Sequence, residues 1–538
     1  MTDARAGIGR GAAVAFAGTA LSRITGFVRV AAAAFALGVT ESRLHDTYNL
    51  ANITPNIIFE LVIGGVISGV VLRIYVEVRD RESKEEAWIF ITRLTKASLL
   101  VMAVVAGIAV FAAPLIMRLY ALRAGASADI QQEVGTVLLR LFIPQIFFYA
   151  LSQISTAVLN AERRFGVVMF APVMNNVAWT ATFLTFAAVI PIQQRGLETV
   201  PVSGLLILGL GTTFSVSLLG LTPFLYMRQL GAGRVKGTGI RDPRFRRLLA
   251  LMIPLFAYVA TNQLGRGVAS VLANQVRGGV TAYDQAFIFF QLPHGLFSVS
   301  IAVVILTGMT ESAVAEDMTG FARRLSDGLR AIAFFALPAA AGYIALSRPL
   351  VRLLLEHGVM SPASTDMIAT VLRFWAAGIF FFSAFYLMLR AFYALGNTRT
   401  PMYINLAAFG INVVLDVVLF AVFDDPGMKI AGLAIGHALS YVFASVTALI
   451  ILSRVAGRLV AEKLGSRLVK MVGAAAATGA VAWAVARQVE QSFGTSSVGL
   501  QLAQVAGAAG AGLVVYVLLA KLLHLEEMQW IAKIATRR

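Results

Sequence analysis

Two arginines, Arg23 and Arg29, lie within the first long apolar stretch of the chain, residues 12–38. On a helix they are about 120° apart around the axis and ~9 Å apart along it, with Gly26 between them and Ser22 beside them. A guanidinium is a planar fork of donors suited to phosphate oxygens, which favours an anion site for a phosphate or pyrophosphate group. The alternative is that both arginines pair with internal acids and hold helices together.

The next apolar segment contains candidate acids and a candidate hinge. Asp46 is near its outer start and Glu60 is nearer its middle. Glu60 either pairs with an arginine or carries a proton. Pro55 is expected to kink the helix, and Gly64 and Gly65 allow close helix approach. These three residues form either a hinge or ordinary tight packing.

Further intramembrane polar residues occur in the second half of the chain. Asn412 and Asp416 are four residues apart, so their oxygens share one helix face. A carboxylate with an amide oxygen suits a small hard cation such as Na⁺. The alternative is a buried aspartate satisfied by an arginine from another helix. Arg266 is a further candidate for the cavity that holds the first-span arginines.

The composition is that of a membrane protein. Of 538 residues, 58% are hydrophobic and 14% are charged, whereas soluble domains are about a quarter charged. The net charge of +17 lies mainly in short loops, which indicates membrane orientation rather than nucleic-acid binding. Cysteine is absent, and no nucleotide-binding loop, zinc spacing or nucleophilic triad is present, so we predict neither an ATP-driven pump nor an enzyme.

The hydropathy pattern predicts an all-α polytopic membrane protein with about fourteen transmembrane helices. Loop charges place both termini in the cytoplasm by the positive-inside rule. The predicted spans lie near 12–37, 47–76, 91–119, 134–160, 166–190, 202–227, 246–274, 282–310, 327–347, 367–394, 401–423, 428–453, 469–487 and 499–522.

The chain repeats a local pattern. Gly38-Val39-Thr40 precedes Asp46 and then Pro55, while Gly279-Val280-Thr281 precedes Asp284 and then Pro293 with the same Asp-to-Pro interval. Such a long period suits two pseudo-symmetric six-helix lobes of a transporter. The predicted division is a first lobe 1–228, a basic cytoplasmic linker 229–245, a second lobe 246–455, and 456–538 with two extra C-terminal helices and a tail.

Several segments together resemble the MurJ (MviN) family of the multidrug/oligosaccharidyl-lipid/polysaccharide exporter superfamily. They are SRITGFVR in span one, the Asp46–Pro55–Asn56 segment in span two, QLPHGLFSVSIAVVIL in span eight, and LGNTRTPM followed by NVVLD. The resemblance covers essentially the whole chain. The order and spacing of these segments together are more specific for the family than any single segment is.

The resemblance implies a flippase for lipid II, the undecaprenyl-pyrophosphate-linked precursor of peptidoglycan, working by alternating access in the bacterial cytoplasmic membrane. Its implied partners are lipid II, membrane lipids and cell-wall synthesis proteins, with Na⁺ or the membrane potential as driving force and no other cofactor. The family's second-span arginine is replaced here by Phe59. The predicted substrate site consists of Ser22, Arg23, Gly26, Arg29, Asp46, Asn56, Glu60 and Arg266.

Three other functions remain open at this point. A flippase for O-antigen or exopolysaccharide lipids would share the fold and the recognition of pyrophosphate. A multidrug/cation antiporter usually has about twelve spans and an acidic, aromatic cavity rather than a basic one. A non-transporting scaffold for cell-wall enzymes would not need the cavity charges.

Overall fold

The computed structural model describes residues 2–62, 67–122, 124–231, 259–456 and 464–528, and within them the regular structure is helical, without strands. Long apolar runs adopt helices because a helix satisfies its backbone hydrogen bonds internally, which the hydrocarbon requires. The chain is therefore an all-α membrane protein. It divides into two compact units, Met1–Val280 with His357–Met360, and Thr281–Glu356 with Ser361–Arg538.

The first unit contains helices that pack on one another in a bundle. Helix α1 packs along α7, α7 and α6 pack against α8, and α2 packs against α5. Their bounds are α1 Thr2–Leu37, α2 Leu44–Val62, α3 Ile67–Arg81, α4 Lys84–Ala121, α5 Ala128–Phe142, α6 Gln145–Ala161, α7 Phe165–Val189, α8 Val202–Gln229, and α9, the helical residues 259–273.

The second unit begins within α10 and ends with the C-terminal helix pair. A π-helical turn, His294–Ser298, separates α10 from α11 directly after Pro293. The bounds are α10 Gly279–Pro293, α11 Val299–Val314, α12 Met318–Leu355, α13 Pro362–Ala377, α14 Ile379–Ala394, α15 Arg399–Val422, α16 Pro426–Ala456, α17 Leu464–Phe493 and α18 Val498–Leu522.

The helices agree with the predicted number of spans. Eleven helical stretches within the described ranges are long and apolar enough to cross a membrane, and the number is twelve if α13 and α14, which are bent by 43°, count as one span. The two remaining predicted spans, near 47–76 and 246–274, each include residues outside the described ranges. The prediction of about fourteen spans is therefore consistent with the structure.

The predicted lobe boundaries are not tested by this division. Most of the predicted linker 229–245 lies outside the described residues, as do the hinge candidates Gly64 and Gly65. The compact units divide after Val280, and α9 belongs to the first of them. Pro55 lies inside α2, where it is buried and the helix continues to Val62.

Small residues let the helices of the first unit approach closely. A Cβ atom on Gly18 of α1 would lie 2.6 Å from the Cβ of Met169 in α7. A Cβ atom on Gly220 of α8 would collide with the backbone of Phe148 in α6. Glycine at these positions places backbone against backbone, which is how membrane helices gain packing without a hydrophobic driving force.

The two extra C-terminal helices are fastened to α12 within the second unit. Arg352 of α12 donates hydrogen bonds of 3.0 Å to Glu490 of α17 and to Gln504 of α18. Further along, the hydroxyl of Tyr516 donates to the carbonyl of Phe334 at 2.7 Å. Arg352 thus ties both helices to α12, and Tyr516 ties α18 to it a second time, so the pair is integral to this unit.

Candidate functional site

Arg29 of α1 is held by an aromatic ring. Its guanidinium carbon lies 4.3 Å from the ring centroid of Trp179 on α7. Among the residues that the structure describes, no carboxylate forms an ion pair with Arg29 and no group accepts a hydrogen bond from it. For Arg29, the alternative of pairing with an internal acid therefore has no support in the described chain.

A hydrogen-bonded chain fixes the position of the Trp179 ring. Its indole Nε1 donates to the hydroxyl of Tyr48 at 2.5 Å, and that hydroxyl also bonds Thr212 Oγ1 at 2.6 Å. Tyr48 is fully buried and contacts the rings of Phe142 and Phe183 edge-on, each at 5.4 Å. The support of Arg29 thus extends through α7, α2 and α8.

Arg23 lies on the accessible edge of α1. Its side chain is exposed, next to the exposed apolar side chains of Ile24 and Val28. Within the described ranges it makes no ion pair, so the structure contains two first-span arginines without a carboxylate partner. The predicted binding of an anionic ligand by Arg23 and Arg29 stays a prediction.

Ser22 and Gly26 place α1 against α7. The amide nitrogen of Asn176 on α7 donates to the Ser22 carbonyl at 3.1 Å and to the Thr25 hydroxyl at 3.2 Å. A Cβ atom on Gly26 would lie 3.6 Å from the same nitrogen. These contacts fix the position of Arg29 along the α1 axis relative to Trp179. A direct contact of Ser22 or Gly26 with substrate stays a prediction.

A polar stripe runs along α2. Asn49, Asn52, Asn56 and Glu60 fall within an arc of about 80° at helical spacing, and all four are partly exposed while most of their neighbours are buried. Asn56 has no polar partner in the described part of the chain. The predicted contacts of Asn56 and Glu60 with substrate fit this exposure and stay predictions.

An amide and a phenol extend this stripe onto α6. Gln145 Nε2 donates to Asn52 Oδ1 at 3.3 Å, and the hydroxyl of Tyr149 donates to Gln145 Oε1 at 3.1 Å. Phe59, which stands where the resemblance expects an arginine, is buried with its ring 5.8 Å from that of Tyr149. At this position the chain therefore has an aromatic contact instead of a cation.

Asp46 is enclosed at the start of α2. It is fully buried, and its Oδ2 accepts a hydrogen bond of 2.7 Å from the backbone N–H of Gly278. The neighbouring Arg43 donates to the Asn274 carbonyl at 2.7 Å. Burial lowers the pKa of Arg43, and the Asp46 carboxylate opposes this effect. Asp46 thus joins α2 to the turn 274–278, and its predicted contact with substrate stays a prediction.

The remaining candidates are dispersed. Arg266 is exposed on α9 and belongs to the first compact unit. In the second unit, Asn412 Nδ2 donates to Asp416 Oδ1 at 2.9 Å, and Asp416 is buried. The described residues contain no group of three or more acidic, histidine or cysteine side chains that could hold a metal. The sodium site at Asn412 and Asp416 stays a prediction.

Sequence reasoning missed Trp179 and Tyr48. Trp179 follows Asn176 by three residues, so both lie on the face of α7 that meets α1. That spacing was the available signal. The pairing of Trp179 with Arg29 depends on helix packing, which the sequence does not display.

Comparison with known sequences gives one consistent result. The family described as lipid II flippase MurJ matches residues 33–507 of the chain. The lipid II flippase MurJ of Burkholderia cenocepacia is 24% identical over 415 residues, covering 77% of this chain and 78% of that protein. The probable lipid II flippase MurJ of Thermotoga maritima is 25% identical over 517 residues, covering 96% and 97%.

Solved structures share the fold. A lipid II flippase MurJ in an inward closed conformation superposes with a TM-score of 0.75 at 21% identity, covering 96% of this chain and 99% of that chain. An inward-facing multidrug resistance MATE family transporter of the MOP superfamily gives a TM-score of 0.62 at 13% identity, covering 80% and 95%. With the family matched over most of its length, this multi-pass membrane chain belongs to the lipid II flippase MurJ family.

Proposed function

We propose that this chain transfers lipid II from the inner to the outer leaflet of the bacterial cytoplasmic membrane. The observation that carries the proposal is Arg29, a membrane-embedded cation stacked on Trp179 with no acidic partner in the described chain. A cation at this depth is costly and usually marks a transport pathway. The named MurJ relatives support lipid II as the substrate.

The proposed mechanism is alternating access without bond chemistry. The pyrophosphate of lipid II binds the Arg29 and Arg23 guanidiniums, which match phosphate oxygens in geometry and charge. The amide side chains of α2 offer donors and acceptors to the rest of the headgroup. The polyprenyl tail stays in the bilayer while the headgroup is exposed to each side in turn. Both termini then face the cytoplasm, as the basic loops favour.

Rescue of a depleted host tests this function. A bacterium depleted of its own lipid II flippase is expected to grow when it expresses this chain, and lipid II on the outer leaflet is expected to return to its normal amount. The control is a host depleted of an O-antigen lipid flippase, where no rescue is expected. Rescue of the O-antigen host alone would contradict the assignment to lipid II.

A multidrug/cation antiporter is the second candidate, favoured by the MATE fold neighbours. Two first-span arginines without a carboxylate partner in the described ranges oppose it, because they would repel a cationic drug at close range. Drug resistance of cells overexpressing the chain, without rescue of flippase depletion, would favour this alternative.

We also propose that Na⁺ drives the cycle through Asp416 and Asn412. These residues would supply two of the several oxygens that a hard cation takes, provided that the Asn412 amide, which now turns its nitrogen to Asp416, presents its oxygen. Replacing Na⁺ by choline is expected to slow lipid II transfer in proteoliposomes several-fold. The Asp416→Asn variant is expected to transfer lipid II slowly in both Na⁺ and choline. The Asp425→Asn variant, changed at an exposed aspartate, is expected to be faster in Na⁺ than in choline, as the wild type is. A wild-type rate that does not change with the salt would contradict sodium coupling.

A further inference from the structure

We infer that Trp179 and Tyr48 form a positioning relay that holds Arg29 in place and presents its N–H edge to the diphosphate. This inference rests on the proposed function and specifies how the site is built. Neither aromatic residue needs to touch the ligand for the relay to act.

The contact with the Trp179 ring leaves the N–H donors of the guanidinium without a hydrogen-bond acceptor in the described part of the chain. An arginine has five N–H donors in the plane of the guanidinium group, and an aromatic ring offers them no lone-pair acceptor. At 4.3 Å the Trp179 centroid is within the range of a cation–π contact. In the described part of the chain none of the five donors is used. The edge is therefore free to bind two phosphate oxygens at once.

An aromatic ring also supports the cation without neutralising it. A carboxylate would take donors and cancel the charge, as seen at Arg352, whose donors go to Glu490 and Gln504 at 3.0 Å each. That arginine fastens helices together. Arg29 has the opposite arrangement, in which its charge is stabilised by the ring quadrupole and stays available to an anion.

The relay behind the ring fixes its orientation. The Trp179 N–H donates to the Tyr48 hydroxyl at 2.5 Å, which leaves the hydroxyl hydrogen for Thr212 at 2.6 Å. The Tyr48 ring is only 2% exposed, so its hydroxyl has little freedom to move. Because a binding group must be held close to its productive geometry, a loose ring would weaken ligand binding without any loss of contact to the ligand.

The experiment measures binding of farnesyl diphosphate and of uncharged farnesol to the full-length protein in detergent micelles. We expect Arg29→Ala to lose the preference for the diphosphate. Trp179→Leu is expected to weaken diphosphate binding on the order of tenfold. Trp179→Phe keeps an aromatic ring with a weaker cation–π interaction, so it is expected to weaken binding less than Trp179→Leu does. All three variants are expected to bind farnesol as the wild type does. A general structural defect would weaken the binding of farnesol as well as that of the diphosphate.

The decisive variant is Tyr48→Phe, because the Tyr48 hydroxyl is buried and already bonded to Trp179 and Thr212, so that its removal acts through the relay. Its expected effect is about threefold to tenfold weaker diphosphate binding. Two matched controls are expected to bind as the wild type. Tyr516→Phe removes another buried tyrosine hydrogen bond of 2.7 Å, and Trp483→Leu removes a ring that stacks on Arg487 at 5.2 Å.

The outcomes separate the relay from the function. Normal diphosphate binding by Trp179→Leu and Tyr48→Phe, with binding lost in Arg29→Ala, would overturn the relay and leave the proposed function intact. Normal binding by Arg29→Ala would overturn both the relay and the proposed anion site. Thermal midpoints of all variants are measured in parallel, and Trp179→Phe replaces Trp179→Leu if the latter does not fold.

Discussion

Arg29→Ala is expected to abolish rescue of a lipid II flippase-depleted host and to slow lipid II transfer in proteoliposomes on the order of 100-fold. Removing one member of a desolvated charge pair costs about 3 kcal/mol, mainly because the other charge is left unpaired. Arg29 has no ion-pair partner within the described ranges, so the removal of its charge leaves no acid unpaired there. The folded state is therefore expected to survive. The measurement is the transfer rate together with the amount of protein in the membrane.

Arg29→Lys separates charge from geometry at the same position. Lysine keeps the charge but lacks the planar fork and stacks less well on a ring, so we expect a rate between those of Arg29→Ala and the wild type. Arg487→Ala is the matched control, because Arg487 also lies over a tryptophan ring, at 5.2 Å from Trp483. That variant is expected to transfer lipid II normally. A normal rate in Arg29→Ala would show that this cation is not part of the substrate site.

Much of the fold could be predicted because the membrane imposes simple rules. Each span requires about twenty apolar residues, and the helices follow the predicted spans wherever the structure describes them. The need of Arg29 for a special environment was predictable for the same reason, since a charge in an apolar run is costly without one. The extra C-terminal helices were also visible as apolar runs, although their attachment to α12 through Arg352 was not.

The environment of the predicted residues could not be read from the sequence, because it depends on which helices pack together. Arg29 meets Trp179, which is 150 positions away in the printed numbering, only because Asn176 fastens α7 to α1. Phe59 occurs where the resemblance expects an arginine, and the structure gives it a contact with Tyr149 instead. Proximity along the sequence carries no information about such pairs.

Asp46 makes a packing contact that its position in the sequence does not reveal. The resemblance implies that Asp46 belongs to the substrate site, and that role stays a prediction. In the structure its carboxylate is fully buried and binds Gly278, 232 residues further along the chain. Asn274 in the same turn bonds Gln131 of α5 at 2.9 Å and 3.0 Å. The carboxylate therefore contributes to the joint between α2 and this turn.

Asp46→Ala is accordingly expected to lower the free energy of unfolding by about 3 kcal/mol, because it leaves a buried N–H unpaired and removes the carboxylate beside Arg43. Gly278 has left-handed backbone, with a φ of +78°, and a Cβ atom there would lie 2.8 Å from the carbonyl oxygen of Val39. The turn is therefore packed too closely against this backbone to shift and compensate. The measurement is the thermal midpoint of the purified protein in detergent.

Asp46→Asn keeps an oxygen that accepts from the Gly278 N–H and is expected to lose about half as much stability. Asp425→Ala is the control, because Asp425 also accepts a backbone N–H at 2.8 Å, from Met428, but at an exposed position. A role in substrate binding predicts the opposite pattern for Asp46→Ala, with a normal thermal midpoint and no lipid II transfer. A variant that folds but does not transfer lipid II would therefore place Asp46 in the substrate site. A destabilised variant whose remaining folded protein still transfers lipid II would assign Asp46 to the joint between α2 and the turn 274–278.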